Sequence, residues 1–376
     1  MTMIYETLNR DAFAGRLYAA LENFKENREA RLNLLSKEES VIVYSYGTRG
    51  ADFAKQLRSA GIDCLIFDNA QNALSRAVAD GFKTTSDPSL DLPLIVAAGQ
   101  NQLSILSGLT RPAYSLAEGL YAFDLTNQCA KARLFSEAIP AAGAELYQIY
   151  RDLDPSCQQD FLNVLLFRVS LDVSWIASSR KSISQMWIPP AAVRTISSFC
   201  DVGAYDGDTL ISMKAAFPDL KSALAVEPNP DLVAKIEAGS RSSELKCRVF
   251  IGAAWSHKTR LSSHVFQNGM MTIKEDVTGN IDADGLDNIS SLEPFDYVKF
   301  DVEGSEAHAL QGARSLLRSS RCIAIAGYHL PNDLLEVPNN VAVILGPKYE
   351  TEWRRAFHHY SECFDDSIFY FYRTNQ

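Results

Sequence analysis

The sequence predicts an α/β protein with two parallel sheets, and three observations support this fold class. Apolar segments of strand length alternate with helical patterns from residue 195 onward. A shorter alternation of the same kind lies at 41–69, and a glycine-containing turn follows its first strand. Such alternation is typical of parallel sheets covered by helices. We therefore expect a small Rossmann-like α/β domain at 1–130, a helical connector at 131–194 and a larger α/β domain at 195–376.

The first domain is predicted from a βαβ unit at 41–69, which follows an amphipathic helical pattern at 12–36. Further strands are expected at 91–99 and near 121–125. The turn after the first strand reads YSYGTRG, which lacks the three glycines of the dinucleotide fingerprint GxGxxG. Asp68, at the end of the second strand, therefore has two interpretations: a ribose ligand or a residue that shapes a turn.

The connector has a helical pattern over 130–190 that ends at Pro189 and Pro190. Its predicted buried face consists of Phe161, Leu162, Leu165 and Leu166. The segment is interpreted either as a linker or as a lid or substrate-binding insert over the domain that follows.

The third domain is predicted to be a parallel sheet with helices on both faces and a terminal antiparallel hairpin. The expected helices are 208–217, 230–238 and 305–318. The expected strands are 196–202, 222–227, 247–252, 296–301, 321–327, 341–345 and 367–373, the last two forming the hairpin.

The segment FCDVGAYDGDTL (199–210) predicts a ligand site, because ligands of open α/β sheets bind beyond the carboxyl ends of the strands. Its glycines allow the backbone to approach a ligand closely. Glu227 ends the next strand, where an acid accepts hydrogen bonds from ribose hydroxyls. Acids at 201, 206 and 208 would repel a pyrophosphate but suit a cationic nucleoside. S-adenosylmethionine is such a nucleoside, since it carries an amine and a sulfonium.

Four sequence blocks, in order, resemble the FkbM family of class I methyltransferases. They are DVGAYDG with EPNP, FDYVKFDVEGSEAHALQGARSLL, IAIAGYHLPNDLLEVPN and HHYSECFDDSIFYFY, together spanning about 195–373. The resemblance implies a seven-stranded class I methyltransferase sheet and O-methyl transfer from S-adenosylmethionine. It also implies an acceptor hydroxyl on a saccharide or on a secondary metabolite.

The same resemblance assigns residues to the cofactor. Asp201, Gly203 and Gly207 would hold its amino-acid part, Glu227 its ribose, and Ala253 would lie against adenine. The full set of expected cofactor-binding residues is Asp201, Gly203, Ala204, Tyr205, Gly207, Thr209, Glu227, Pro228 and Ala253. Asp301 would face the methyl-transfer side.

A hydroxyl acceptor needs a base, and His329 is the candidate because it follows a buried strand at the sheet's carboxyl end. The alternative is that His329 binds a loop carbonyl. His358 and His359 could also reach the site, but an adjacent pair on a loop is expected at the surface, and His308 is expected to face solvent. Asp301 and Glu303 also allow two interpretations: acids near a helix start, capped by Ser305, or Mg²⁺ ligands together with His329 or Asp333.

Composition excludes several other classes of protein. The net charge of −10 contains no basic cluster, which argues against nucleic-acid binding. The 7 scattered cysteines fit reduced thiols, and neither a signal peptide nor a membrane-spanning run is expected, so a cytoplasmic location is predicted. Two rival functions stay open at this point: a dinucleotide-dependent sugar-modifying enzyme and a non-catalytic nucleotide-binding module. Neither the acceptor nor the oligomeric state follows from the sequence.

Overall fold

The computed structural model describes residues 7–125, 142–177, 180–265 and 271–373. These residues form three sheets and the helices that cover them. No helix within the described ranges is long and apolar enough to cross a membrane. The boundary predicted at residue 130 lies outside the described residues, and the domain limits stay a prediction.

The first sheet has five parallel strands in the order β3-β2-β1-β4-β5. The strands are β1 (Ser40–Tyr44), β2 (Asp63–Phe67), β3 (Lys83–Thr84), β4 (Leu94–Val96) and β5 (Tyr114–Ser115). The helices are α1 (Arg10–Asn27), α2 (Glu29–Leu35), α3 (Thr48–Ser59), α4 (Gln71–Ala79), α5 (Gln102–Gly108) and α6 (Leu116–Ala122). The βαβ unit is therefore as predicted.

The strand predicted near 121–125 is wrong, because α6 occupies the start of this segment and a turn follows it. Ser115 caps this helix in a capping box with Glu118, which accounts for a helix starting directly after a short strand. Asp68 shapes a turn: its carboxylate accepts hydrogen bonds from the backbone of Tyr46 at 2.7 Å and of Ala70 at 2.8 Å.

The described connector is helical as far as residue 177, as α7 (142–152), α8 (Pro155–Ser170) and α9 (Ser174–Ala177). The helical pattern predicted up to 190 is wrong at its end, because the described residues from 180 onward are irregular apart from a 3₁₀ turn at Ile183–Gln185. The predicted buried face is confirmed, since Phe161, Leu162, Leu165 and Leu166 are all at most 1% exposed. Helix α8 packs against the third domain, where the ring of Phe161 contacts that of Phe357 edge-on. One apolar core therefore continues from the first domain through the connector into the third.

The third domain is built on a sheet of seven strands, in the order β15-β16-β14-β13-β6-β7-β8. The strands are β6 (Ser198–Val202), β7 (Ser222–Glu227), β8 (Lys246–Ile251), β13 (Tyr297–Phe300), β14 (Cys322–Ala326), β15 (Arg354–His359) and β16 (Ser367–Tyr372). All neighbouring pairs are parallel except those that include β16. This is a Rossmann-like sheet of seven strands, as the sequence predicts.

The helices α10 (Asp208–Ala216) and α11 (Pro230–Ser242) follow β6 and β7 as predicted. The predicted helix 305–318 is divided at Gly312 into α13 (Glu306–Gln311) and α14 (Arg314–Ser319). A Cβ at Gly312 would lie 1.9 Å from the carbonyl oxygen of Trp255. Close approach of the two backbones therefore requires glycine at this position.

The strand predicted at 341–345 is wrong, because these residues end the helix α15 (Asp333–Leu345), which is followed by α16 (Lys348–Glu352). The terminal antiparallel hairpin exists, but its first strand is β15. Val341, Ile344 and Leu345 are buried on one helical face, so the short apolar run reflects a covered helix.

A smaller sheet, absent from the predicted elements, follows β8. Its strands are β9 (Ala253–Trp255), β10 (Thr259–Val265), β11 (Met271–Glu275) and β12 (Ile281–Gly285), in the order β11-β10-β12-β9, and the short helix α12 (Leu286–Ile289) comes after them. The sheet places Trp255 and Ile273 beside the carboxyl edge of the large sheet, where both line a cleft.

A loop of the third domain covers the carboxyl edge of the first sheet. The carboxylate of Glu362 accepts hydrogen bonds from the backbone of Asn101 at 3.0 Å and of Leu103 at 2.8 Å. Arg49 forms ion pairs with Asp365 and with Asp366. The edge at which a nucleotide would bind in a Rossmann-like domain is therefore occupied by the chain itself.

Candidate functional site

A cleft of about 680 Å³ opens at the carboxyl ends of the central strands β6, β7 and β13. This is where open α/β sheets bind ligands. The turns after these strands, the connector and the small sheet all contribute to its walls. Its polar lining includes Tyr205, Asp208, Thr209, Glu227, Asn229, Lys299, Asp301 and Glu303, and its apolar lining includes Met186, Trp187, Leu232, Ala253, Trp255 and Ile273.

The turn after β6 forms the floor of the cleft. Gly203 has φ +81°, and a Cβ there would lie 1.9 Å from the carbonyl oxygen of Asp301. Gly207 has φ +84° and packs against the backbone of Ile236. Both positions require glycine, because an L side chain would meet backbone atoms in a left-handed conformation. The turn is thereby held against the end of β13, and Tyr205 projects from it with its ring exposed.

Glu227 is fixed at the end of β7 by two backbone hydrogen bonds. Its Oε2 accepts from the amide of Tyr205 at 2.9 Å, and its Oε1 accepts from the amide of Asn229 at 2.8 Å. Burial raises the pKa of this carboxyl, and the two backbone hydrogen bonds oppose that rise. Each carboxylate oxygen has a second lone pair, so Glu227 can still accept two hydrogen bonds from a ligand in the cleft.

A buried ion pair lies behind the turn. Asp201 is fully buried and does not line the cleft, and its Oδ1 accepts a hydrogen bond from Nζ of Lys299 at 2.9 Å. Burial raises the pKa of Asp201 to about 6, although Lys299 lowers it. Burial lowers the pKa of Lys299, but Asp201 and Asp301 outweigh this and raise it. Lys299 therefore stays charged at neutral pH.

The connector forms the wall beside this ion pair. The Trp187 ring lies over Lys299, with Nζ 4.9 Å from the ring centre. The carbonyl of Trp187 accepts a hydrogen bond from the hydroxyl of Tyr297 at 2.7 Å. Ile183, Ser184 and Met186 extend the same wall. The segment is therefore part of the cleft and not a plain linker.

Asp301 and Glu303 follow β13 and line the cleft, while His329 lies behind them. Nδ1 of His329 is 2.7 Å from Oε1 of Glu306. Its Nε2 lies 3.4 Å from Asp301 Oδ1 and 3.8 Å from Glu303 Oε2. Both ring nitrogens thus face carboxylates, an arrangement that suits a doubly protonated ring. Burial lowers the pKa of His329, but Glu306, Asp301 and Glu303 outweigh it and raise it to about 10.

The candidate metal ligands come together in a different set from the predicted one. Ligand atoms of Glu306, His329 and Asp333 lie within 4.8 Å of one another, and all three residues are buried. Glu306 already accepts a hydrogen bond from the amide of Val302 at 3.0 Å, and Asp333 accepts from that of Leu330 at 2.6 Å. The set predicted from the sequence is therefore matched in part: His329 and Asp333 belong to this cluster, and Asp301 and Glu303 do not.

The remaining histidines are placed differently from one another. His358 and His359 lie on β15 and not on a surface loop, and His359 is 1% exposed, so their predicted surface position is wrong. Both histidines pair with residues of the neighbouring strand β16, His358 with Ile368 and His359 with Ser367. His308 is exposed as predicted and stacks on Trp255 with ring centres 3.9 Å apart. Ser305 precedes α13, but its side chain makes no cap hydrogen bond.

Most of the residues predicted to bind a cofactor meet in the cleft. Six of them line it: Gly203, Tyr205, Thr209, Glu227, Pro228 and Ala253. The other three, Asp201, Ala204 and Gly207, belong to β6 or to the turn after it and are not among the lining residues. Sequence reasoning missed Lys299 and Trp187. Lys299 was detectable, because it lies on β13 two residues before Asp301, and it pairs in register with Asp201 on β6. No local pattern indicated that Trp187 reaches the cleft.

Comparison with known proteins agrees with this geometry. Residues 201–340 match the family model of the methyltransferase FkbM domain. The crystal structure of methyltransferase FkbM from Methylobacillus flagellatus KT is similar over 97% of this chain and 100% of its own, with a TM-score of 0.72 and 16% identity. This likeness shows a common fold that includes the first domain and the connector.

A second similarity is slight. The O-methyltransferase TomG from Streptomyces achromogenes, solved in complex with SAM, is similar over 49% of this chain and 76% of its own, with 12% identity and a TM-score of 0.31. That value is too low to bear on function. No curated protein matches the sequence significantly.

Proposed function

We propose that the protein transfers a methyl group from S-adenosylmethionine to a hydroxyl group of a saccharide or another small molecule. The match of residues 201–340 to the family model of the methyltransferase FkbM domain supports this proposal. Methyl transfer is a displacement at a carbon that the sulfonium already activates. The work left to the protein is to hold the two reactants in line and to accept the proton of the hydroxyl.

The observation that carries this proposal is Glu227 at the end of β7. Its two fixed oxygens each keep a free lone pair, which suits the two ribose hydroxyls of a nucleoside. The apolar wall made by Leu232, Ala253 and Ile273 lies beside it and suits an adenine ring.

The charge of the cleft supports a cationic cofactor over a dinucleotide. Four carboxylates line it, those of Asp208, Glu227, Asp301 and Glu303, and Lys299 is the one basic side chain among the described lining residues. A pyrophosphate would be repelled by this set, whereas a sulfonium and an amine would be attracted.

We propose that the carboxylate of Asp301 is the base that removes the proton of the acceptor hydroxyl. Its carboxylate lines the cleft at the end of β13, whereas His329 lies behind it with both ring nitrogens facing carboxylates. The predicted base role of His329 needs a neutral ring. We propose instead that the charged ring of His329 holds the carboxylates of Asp301 and Glu303 in place.

Titration calorimetry with S-adenosylhomocysteine tests the cofactor. Replacing Glu227 with Gln puts an amide group against backbone amides and removes acceptor capacity, so we expect affinity to fall at least about tenfold. Glu237→Gln, on the exposed side of α11, is the matched control and should bind as the wild type does. Equal affinity in Glu227→Gln, or tight NAD binding at the same site, would refute the assignment.

The acceptor can be sought by thermal shift. Nucleotide-sugars and hydroxylated small molecules would be screened with S-adenosylhomocysteine present. This demethylated cofactor fills the cofactor site but has no methyl group to transfer, so no turnover occurs. A compound that raises the melting temperature only when the product is bound is expected to be methylated in a radiolabel assay.

A further inference from the structure

Lys299 carries a role beyond the ion pair in which it is found. Its side chain is 2% exposed, yet it lines the cleft. Its ammonium donates to Oδ1 of Asp201 at 2.9 Å and to the carbonyl of Gly203 at 2.9 Å. These two contacts use two of the three N–H donors of a lysine.

The third donor of Lys299 has no acceptor within hydrogen-bond range among the described residues. Its other ion-pair partner, Oδ2 of Asp301, lies 3.7 Å from Nζ, which is beyond hydrogen-bond range. The Trp187 ring lies over the ammonium at 4.9 Å, which lowers its access to water. A buried ammonium with one unused N–H at the edge of a cleft is a site for an anionic or carbonyl oxygen.

The charges of the proposed cofactor identify this oxygen. S-adenosylmethionine bears one carboxylate in addition to its amine and sulfonium. Four acids line the cleft and would repel that carboxylate, and Lys299 is the single basic side chain among the lining residues that the structure describes. The start of α10 is a poor alternative, because the Asp208 carboxylate already accepts from the backbone amide of Thr209 at 2.6 Å.

We infer that Lys299 binds the carboxylate of the cofactor's amino-acid part and so selects cofactors that carry it. This inference rests on the proposed function. Lys299 is then a specificity-determining residue: Asp201 and the carbonyl of Gly203 fix the ammonium, and the ligand takes the remaining N–H.

The test compares two ligands by titration calorimetry. One is S-adenosylhomocysteine, and the other is S-adenosyl-3-thiopropylamine, which keeps the amine and lacks the carboxylate. The wild type should bind the first about ten- to a hundredfold more tightly, as expected for a charge-assisted hydrogen bond. In Lys299→Met this ratio should fall to near one, and in Lys299→Arg much of it should remain.

A second variant guards against misfolding. Lys299→Met leaves Asp201 buried without its partner, so the double variant Asp201→Asn/Lys299→Met removes both charges and should show the same loss of the ratio. Lys235→Gln, exposed on α11, is the control. If both ligands weaken equally in these variants and the ratio is kept, Lys299 only holds the turn and the inference is overturned. A wild type that binds no S-adenosylhomocysteine overturns the proposed function and, with it, this inference.

Discussion

The charge on His329 can be tested through the stability of the protein. Raising the pKa of this ring from 6.5 to about 10 corresponds to roughly 5 kcal/mol of extra interaction with its protonated form. Removing one partner of a buried ion pair typically costs about 3–5 kcal/mol, so the two values agree. His329→Gln should therefore lower the free energy of unfolding at pH 6 by about 3–5 kcal/mol, measured in urea.

The pH dependence gives this prediction its sign. The pKa of His329 is higher in the folded protein than in the unfolded chain, so its contribution is complete below pH 6.5 and is lost as the pH rises through about 10. The difference between wild type and His329→Gln should therefore shrink steadily above pH 6.5. His257→Gln is the control, because that exposed ring should change stability by less than about 0.5 kcal/mol.

The same charge decides between the two roles of His329. With a pKa of about 10, roughly one ring in 300 is neutral at pH 7.5. If His329 were the base, kcat would rise about tenfold for each pH unit up to that value. We expect instead a flat kcat between pH 7 and 9. A difference in stability that does not change with pH, together with a rising kcat, would refute the argument for a charged ring.

Three further predictions concern the turn, the acceptor side and the contact between domains. Gly203→Ala should lower stability and S-adenosylhomocysteine affinity together, because its Cβ would lie 1.9 Å from a backbone oxygen, and calorimetry and melting curves would show both. Asp301→Asn should lower kcat by about a hundred- to ten-thousandfold with product affinity nearly unchanged; a small effect, or inhibition of the wild type by a chelator, would contradict the assigned role. Arg49→Met should lower the free energy of unfolding by about 3 kcal/mol, because it removes the ion pairs of Arg49 with Asp365 and Asp366, and exposed Arg16→Met should not.

The residues of the site that could be predicted are those whose type is set by the local backbone conformation. Gly203 and Glu227 were found from the sequence because a strand, a tight turn and a second strand require such residues at fixed distances. Lys299 and Trp187 were missed because their roles depend on contacts between segments far apart in sequence. Geometry alone shows that both nitrogens of His329 face acids.

Errors in the fold prediction have a similar cause. The run at 341–345 is apolar on every side, and such a short run does not distinguish a strand from a buried helix. The small sheet from β9 to β12 was not predicted, since its strands are short and partly polar. In α8 the four residues predicted to be buried are buried, but so is every residue from Asp160 to Ser170, so this helix has no exposed face over that length.

The loop around Glu362 also constrains how the chain is made. The carboxylate of Glu362 accepts a hydrogen bond from the backbone of Asn101 at the edge of the first sheet, and Asn101 is synthesised 261 residues before Glu362. At roughly 5–20 residues per second, translation leaves that edge open for some tens of seconds while the third domain emerges from the ribosome. The first domain therefore reaches its final form only after the third has been translated, and a ribosome stalled between them would expose an unfinished surface to chaperones.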